Sequence, residues 1–194
     1  METKPKTVKA IAEVVVPRPP TTPEPESTPK PHVETVDELY AAAEAAMHAD
    51  DEATAQARLT DVVRRFPSDP LADSALYELA RLAVKQKARA RARGYLDELL
   101  ARGGDPAMRE PARFLRCRLD VDAGSANAGS CLAAFRRDFV SSPHDAEALA
   151  LLIGLTEVAG GCAKAGPLLE DYLRLYPAGP FAGEAALRLQ RCRP

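Results

Sequence analysis

Residues 55–70 read AQARLTDVVRRFPSDP, and this stretch decides the fold. Ala55 and Leu59 stand four apart, so they share one helical face. The small alanine lets a neighbouring helix approach, and the leucine fills the space left beside it. Pro67 stops the helix, and Ser68, Asp69 and Pro70 supply turn chemistry before the next apolar run. The same Ala-x-x-x-Leu signature returns at Ala92/Leu96, Ala128/Leu132 and Ala165/Leu169, in steps of 37, 36 and 37 residues. A turn follows each copy: Gly103-Gly104-Asp105-Pro106, Ser141-Ser142-Pro143 and Tyr176-Pro177-Ala178-Gly179-Pro180. A period of about 37 residues accommodates two helices and two short turns.

The spacing predicts helices over 33–49, 52–66, 71–85, 88–102, 107–121, 127–140, 145–159, 162–176 and 180–192. That is four helical hairpins and one closing helix. Upstream the character changes. Residues 17–31 hold seven prolines, which exclude helix interior and sheet centre and read as a semi-rigid, solvated spacer. The expected organisation is a disordered Pro-rich tail over 1–32 and a helical repeat domain over 33–194.

The 194 residues carry a net charge of -2, which argues against a dedicated nucleic-acid binder. Apolar runs such as Ala148 to Leu155 fall short of a membrane span. Lys9 and Glu13 interrupt the apolar residues near the start, so residues 1–16 do not form a signal peptide. There is no glycine-rich phosphate loop, nucleophile elbow or metal-binding helix motif, and with three histidines neither a cofactor nor a metal site is expected. Asp120, Asp122 and Glu110 read as helix-surface carboxylates, and the basic run Lys85, Lys87, Arg89, Arg91 and Arg93 as solvated surface rather than an anion site.

Cys117, Cys131, Cys162 and Cys192 allow three pairings. The midpoint of Cys117 and Cys131 falls at Gly124, and that of Cys162 and Cys192 at Pro177, each inside a turn. Residues equidistant from the turn of an antiparallel hairpin lie at the same height, so this pairing is the favoured one. Bridges imply an oxidising compartment. Four buried thiols acting as small apolar residues are the alternative reading.

The repeat resembles the tetratricopeptide family. Ala43 and Ala80 match its small first-helix residue, the Ala/Leu pairs its second helix, and Pro67 and Pro177 its terminal proline. Gly103, Ser141, Arg116 and Ile153 depart from the pattern, and the usual first-helix Trp is absent. The junctions Phe66 to Tyr77 and Tyr176 to Leu187 resemble bacterial cell-envelope members, among them the lipoprotein of the outer-membrane β-barrel assembly machine and the Tol-system coordinator. A Pro-rich spacer before such repeats also resembles the extracytoplasmic tails of some anti-sigma-factor proteins.

The resemblance implies an all-α, right-handed α-solenoid that acts as a non-enzymatic protein–protein scaffold. It implies a concave face built by the first helices, with Tyr40, Glu44, Tyr77, Arg81, Arg113 and Glu147 as partner-binding residues. Tyr40, Tyr77 and Phe114, each 37 apart, form a column along it, with Phe114 expected in the core. The partner is a protein or peptide. The expected location is periplasmic or otherwise extracytoplasmic, as a piece of a longer chain anchored upstream. A sensory tail of a membrane-bound regulator and a cytoplasmic adaptor with free thiols are the alternatives.

Overall fold

In a computed structural model the described residues are 32–192, and the Pro-rich stretch expected to be a disordered spacer lies outside them. Eight helices follow one another: α1 (Val36–His48), α2 (Glu52–Arg65), α3 (Pro70–Lys85), α4 (Arg89–Arg102), α5 (Pro106–Asp122), α6 (Ala128–Asp138), α7 (Asp145–Leu175) and α8 (Ala182–Cys192). Among the described residues there is no strand.

Side-chain caps set half of the eight starts. Thr35 and Glu38 form a capping box on α1, and Asp51, Asp69 and Asp105 accept from backbone N–H groups at the starts of α2, α3 and α5. Pro70 and Pro106 occupy first-turn positions, where a missing N–H costs nothing. Each hairpin turn passes through one residue of positive φ. These are Asp50, Lys87, Gly124 and Gly161, spaced 37 apart, with φ of 55°, 58°, 62° and 61°.

Separate helices are expected at 145–159 and 162–176, but α7 runs through both as one 31-residue element. It is nonetheless broken at Gly161 (φ 61°, ψ -159°), at the turn position of the earlier hairpins. Glycine has no Cβ to oppose that conformation, so the fourth turn needs no intervening loop. α7 has the length and composition of a membrane-crossing helix, with mean hydropathy 1.5 over its most apolar window. The break gives it two arms, which pack against α6 and α8 as repeat helices do.

The core is a chain of small clusters that share helices. α3 turns Ala75, Leu79 and Leu82 back onto α1 and α2, and Leu76, Ala80 and Ala83 forward onto α4. α5 repeats this with Ala112 and Leu119 behind and Phe114 and Cys117 in front, against Leu132 and Phe135. Leu149, Ile153, Leu169, Tyr172 and Ala185 close the far end. Cys117, fully buried, follows Ala43 and Ala80 in steps of 37, so it holds the small first-helix position that the sequence reading gives to Arg116.

The open end of each hairpin is clasped by an acidic residue. Arg65 donates to the Glu34 carbonyl at 2.8 Å, and the Asp105 N–H to the Asp73 carboxylate at 2.9 Å. Ser142 donates to Glu110, and the Tyr176 hydroxyl to Asp145. Gly104 allows the second clasp, since a Cβ there would meet Asp73 Oδ2 at 2.0 Å.

Two bridges staple the second half. Cys117 is joined to Cys131 with Cα atoms 5.4 Å apart, and Cys162 to Cys192 at 5.1 Å. The first crosses α5 to α6, and the second ties the bend of α7 to the end of α8. Asp120 corrects one expectation. It is buried rather than on the surface, held by Arg93 of α4 and by Arg116 at 2.7 Å. The two arginines offset its burial, because an unpaired buried carboxylate would be costly.

Candidate functional site

The first helices α1, α3 and α5 and the first arm of α7 present one continuous face. Tyr40 and Tyr77 stand on it half-buried, and burial pushes both phenols above their ordinary pKa. Glu78 and Glu44 add to the rise at Tyr40, whereas Arg81 opposes it at Tyr77. Each side chain is partly packed and partly exposed, a disposition suited to contact.

Two cavities adjoin along this face. Between α1 and α3 a cavity of 410 Å³ is lined by Tyr40, Glu44, Met47, Glu78, Arg81 and Lys85, among others. Between α3, α5 and α7 a second, of 270 Å³, is lined by Tyr77, Arg81, Phe114, Arg118, His144 and Glu147, among others. Arg81 belongs to both. Its guanidinium takes both oxygens of Glu78 at 3.0 Å, which fixes it between them. Arg118 reaches Glu147 at 3.1 Å and so links α5 to α7 across the groove. His144 stacks on Phe114 with ring centroids 4.5 Å apart, closing the floor. Phe114 is 5% exposed and belongs to the core, as expected. The exposed carboxylates and guanidiniums are weakly stabilising pairs that a partner can break and re-form.

Five of the six expected contact residues therefore come together: Tyr40, Glu44, Tyr77, Arg81 and Glu147. Arg113 does not. It lines a different cavity of 290 Å³, with Asp97, Arg116, Asp120 and Ser130, towards α4 and α6. The groove arginine on α5 is Arg118. Its signal was present in the spacing, since Glu44, Arg81 and Arg118 stand 37 apart like Tyr40, Tyr77 and Phe114. Met47 and Val84 continue the same ladder, and both line the groove.

The basic run of 85–93 does not form one patch. Lys85 pairs with Glu52 at 2.8 Å, Arg93 pairs with Asp120, and Arg91 donates to Gln86 at 3.1 Å. Among the described residues, no group of three or more His, Cys, Asp or Glu side chains is placed to hold a metal ion.

No protein-family model and no curated protein matches the chain by sequence. Its structure is similar to a tetratricopeptide repeat protein from Parabacteroides merdae, with a TM-score of 0.68 at 18% sequence identity. The match covers 81% of this chain and 60% of that one, so this chain spans well under two thirds of that protein's length. At this identity the likeness is one of fold: the described helices form a tetratricopeptide-repeat-like stack.

Proposed function

We propose that this chain is a non-enzymatic scaffold that grips a peptide or partner domain in the groove of α1, α3, α5 and α7, outside the cytoplasm. The groove carries the reading: two adjoining cavities share Arg81, which Glu78 holds in place, between two half-buried tyrosines. Tyrosine and arginine are the side chains that most often anchor protein contacts. The surface is preformed, so little ordering cost opposes binding. The two disulfides support an oxidising compartment, in practice the bacterial envelope, because such bridges rarely persist in reducing cytosol. In that setting residues 1–32 serve as a spacer that holds the repeats away from whatever precedes them.

The test starts with a random peptide library displayed on phage and selected on the oxidised protein. Binding constants of the selected peptides are then measured against three variants. Tyr77→Ala and Arg81→Ala are expected to weaken binding at least about tenfold each, the range of an interface anchor. Arg113→Ala, outside the groove, is expected to leave it unchanged. Peptides whose binding depends on Arg113 and ignores Arg81 would place the contact surface elsewhere and refute the reading.

A further inference from the structure

The two disulfides occupy opposite environments. Cys117 is completely buried, packed with Phe114, Leu132 and Phe135 between helices that each have further neighbours. Cys162 is exposed, directly after the positive-φ Gly161 at the bend of α7. Its partner Cys192 is half-buried on the last turn of α8, beside Arg191. Lys164 folds its side chain back over Gly160 in the same turn.

The helix that this exposed bridge secures is short and rests on one neighbouring helix. α8 has 11 residues, and Ala185 is its one fully buried side chain. It packs on α7, through the Tyr172–Phe181 ring contact at 5.2 Å and the Arg188–Glu157 ion pair at 2.8 Å. Beneath it lie Leu149, Ile153, Leu169 and Tyr172.

We propose that Cys162–Cys192 is a thiol-exchange site for dithiol reductants in the folded protein, that Cys117–Cys131 is closed to them, and that opening the site unlatches α8. A reductant thiolate attacks Cys162 Sγ, the exposed sulfur. A mixed disulfide forms there, the Cys162–Cys192 bond breaks, and the electron pair leaves on Cys192 Sγ, which takes up a proton. The second thiol of the reductant, once deprotonated, attacks its own sulfur in the mixed disulfide. That step expels Cys162 as a thiolate, which is protonated in turn. The reductant becomes a cyclic disulfide, and the protein gains two thiols, a two-electron exchange. α8 then keeps only its packing and one ion pair, and its release bares the apolar side chains of α7 beneath it.

The experiment uses the oxidised full chain without denaturant. Limiting dithiothreitol, and in parallel reduced thioredoxin, are added. Samples are quenched with N-ethylmaleimide over time and mapped by mass spectrometry. Cys162 and Cys192 are expected to be labelled at least about tenfold faster than Cys117 and Cys131, since access governs exchange. Opening by both reagents assigns the site to protein dithiols as well as small ones; opening by dithiothreitol alone assigns it to small ones. Equal rates, faster labelling of Cys117 and Cys131, or oxidised protein that lacks the Cys162–Cys192 bridge would each overturn the proposal. Hydrogen exchange on the same samples reads the latch. Protection is expected to fall over 182–192 and to persist over 36–102, and unchanged protection over 182–192 refutes unlatching. Cys162→Ser with Cys192→Ser is expected to show the same pattern without reductant. If that variant does not fold, the wild-type kinetics still decide.

Discussion

The first two hairpins and the last two share a period but are held together by different means. In the first half α1, α2 and α3 begin on a side-chain cap and α4 does not; in the second, α5 is capped by Asp105 while α6 and α7 have no such cap. α1 to α4 bury alanines and leucines in regular alternation. The second half replaces that pattern with Phe114, Phe135 and Tyr172 and adds both disulfides. Its turns pass through Gly124 and Gly161, where the first half uses Asp50 and Lys87. In the first half, three capped starts and a regular Ala/Leu core suffice. In the second, where the packing is less regular and caps are fewer, cross-links that restrict the unfolded chain take over.

The largest effect should come from removing the buried cross-link. Cys117→Ser with Cys131→Ser frees a bridge of sequence separation 14, and a loop of that size contributes about 3 kcal/mol. Urea denaturation is expected to show that loss. A loss below about 1 kcal/mol would erase the contrast between the halves.

The turns give the next test. Gly124→Ala places a Cβ at φ 62°, at a cost of about 1–2 kcal/mol. Lys87→Gly relieves the same conformation in the first half, where φ is 58°, and is expected to raise the melting temperature. Opposite signs at positions 37 apart would show that one turn geometry serves both halves. Asp51→Ala removes the cap of α2 and should cost about 1 kcal/mol in the same assay.

The smallest effect is read as a pH dependence in the alkaline range. Burial, followed by the hydrogen bond to Asp145, pushes the Tyr176 phenol from 10.0 up to about 12. The folded state thus holds the proton more tightly than the unfolded chain does. The associated stability is fully present below pH 10 and is lost as pH rises from 10 to about 12. Tyr176→Phe should remove that alkaline decline, which melting curves across the window would detect.

Most of the architecture was legible because the period is carried by the residues that pack. Ala55/Leu59 and its three successors are all fully buried. The cysteine pairing was legible for the same reason, since both midpoints fall in turns. The fusion at Gly161 was not, because the Gly160-Gly161 pair signals a break without showing that one residue completes it. The site was legible except on α5. The second-helix marker shortens to a 36-residue step between Ala92 and Ala128, while the first helices keep 37. The missing residue falls after the turn: Lys87 to Ala92 is five steps and Gly124 to Ala128 is four. On α5 a 36-residue step leads to Arg116, whereas the 37-residue ladder leads to buried Cys117. The same ladder leads to Arg118 in the groove, whereas Arg113 lines the cavity towards α4 and α6. Of the two arginines that hold buried Asp120, Arg116 is a helix neighbour four residues away, but Arg93 is 27 residues away on α4, and that packing is not written in the local sequence.

The difference between the halves is tested most directly by hydrogen exchange on the full chain, oxidised and with all four cysteines reduced. Protection over 106–175 is expected to collapse on full reduction while protection over 36–102 persists. Loss spread evenly along 36–192, or no loss anywhere, would contradict a stack whose first half stands on local chemistry and whose second half stands on its cross-links.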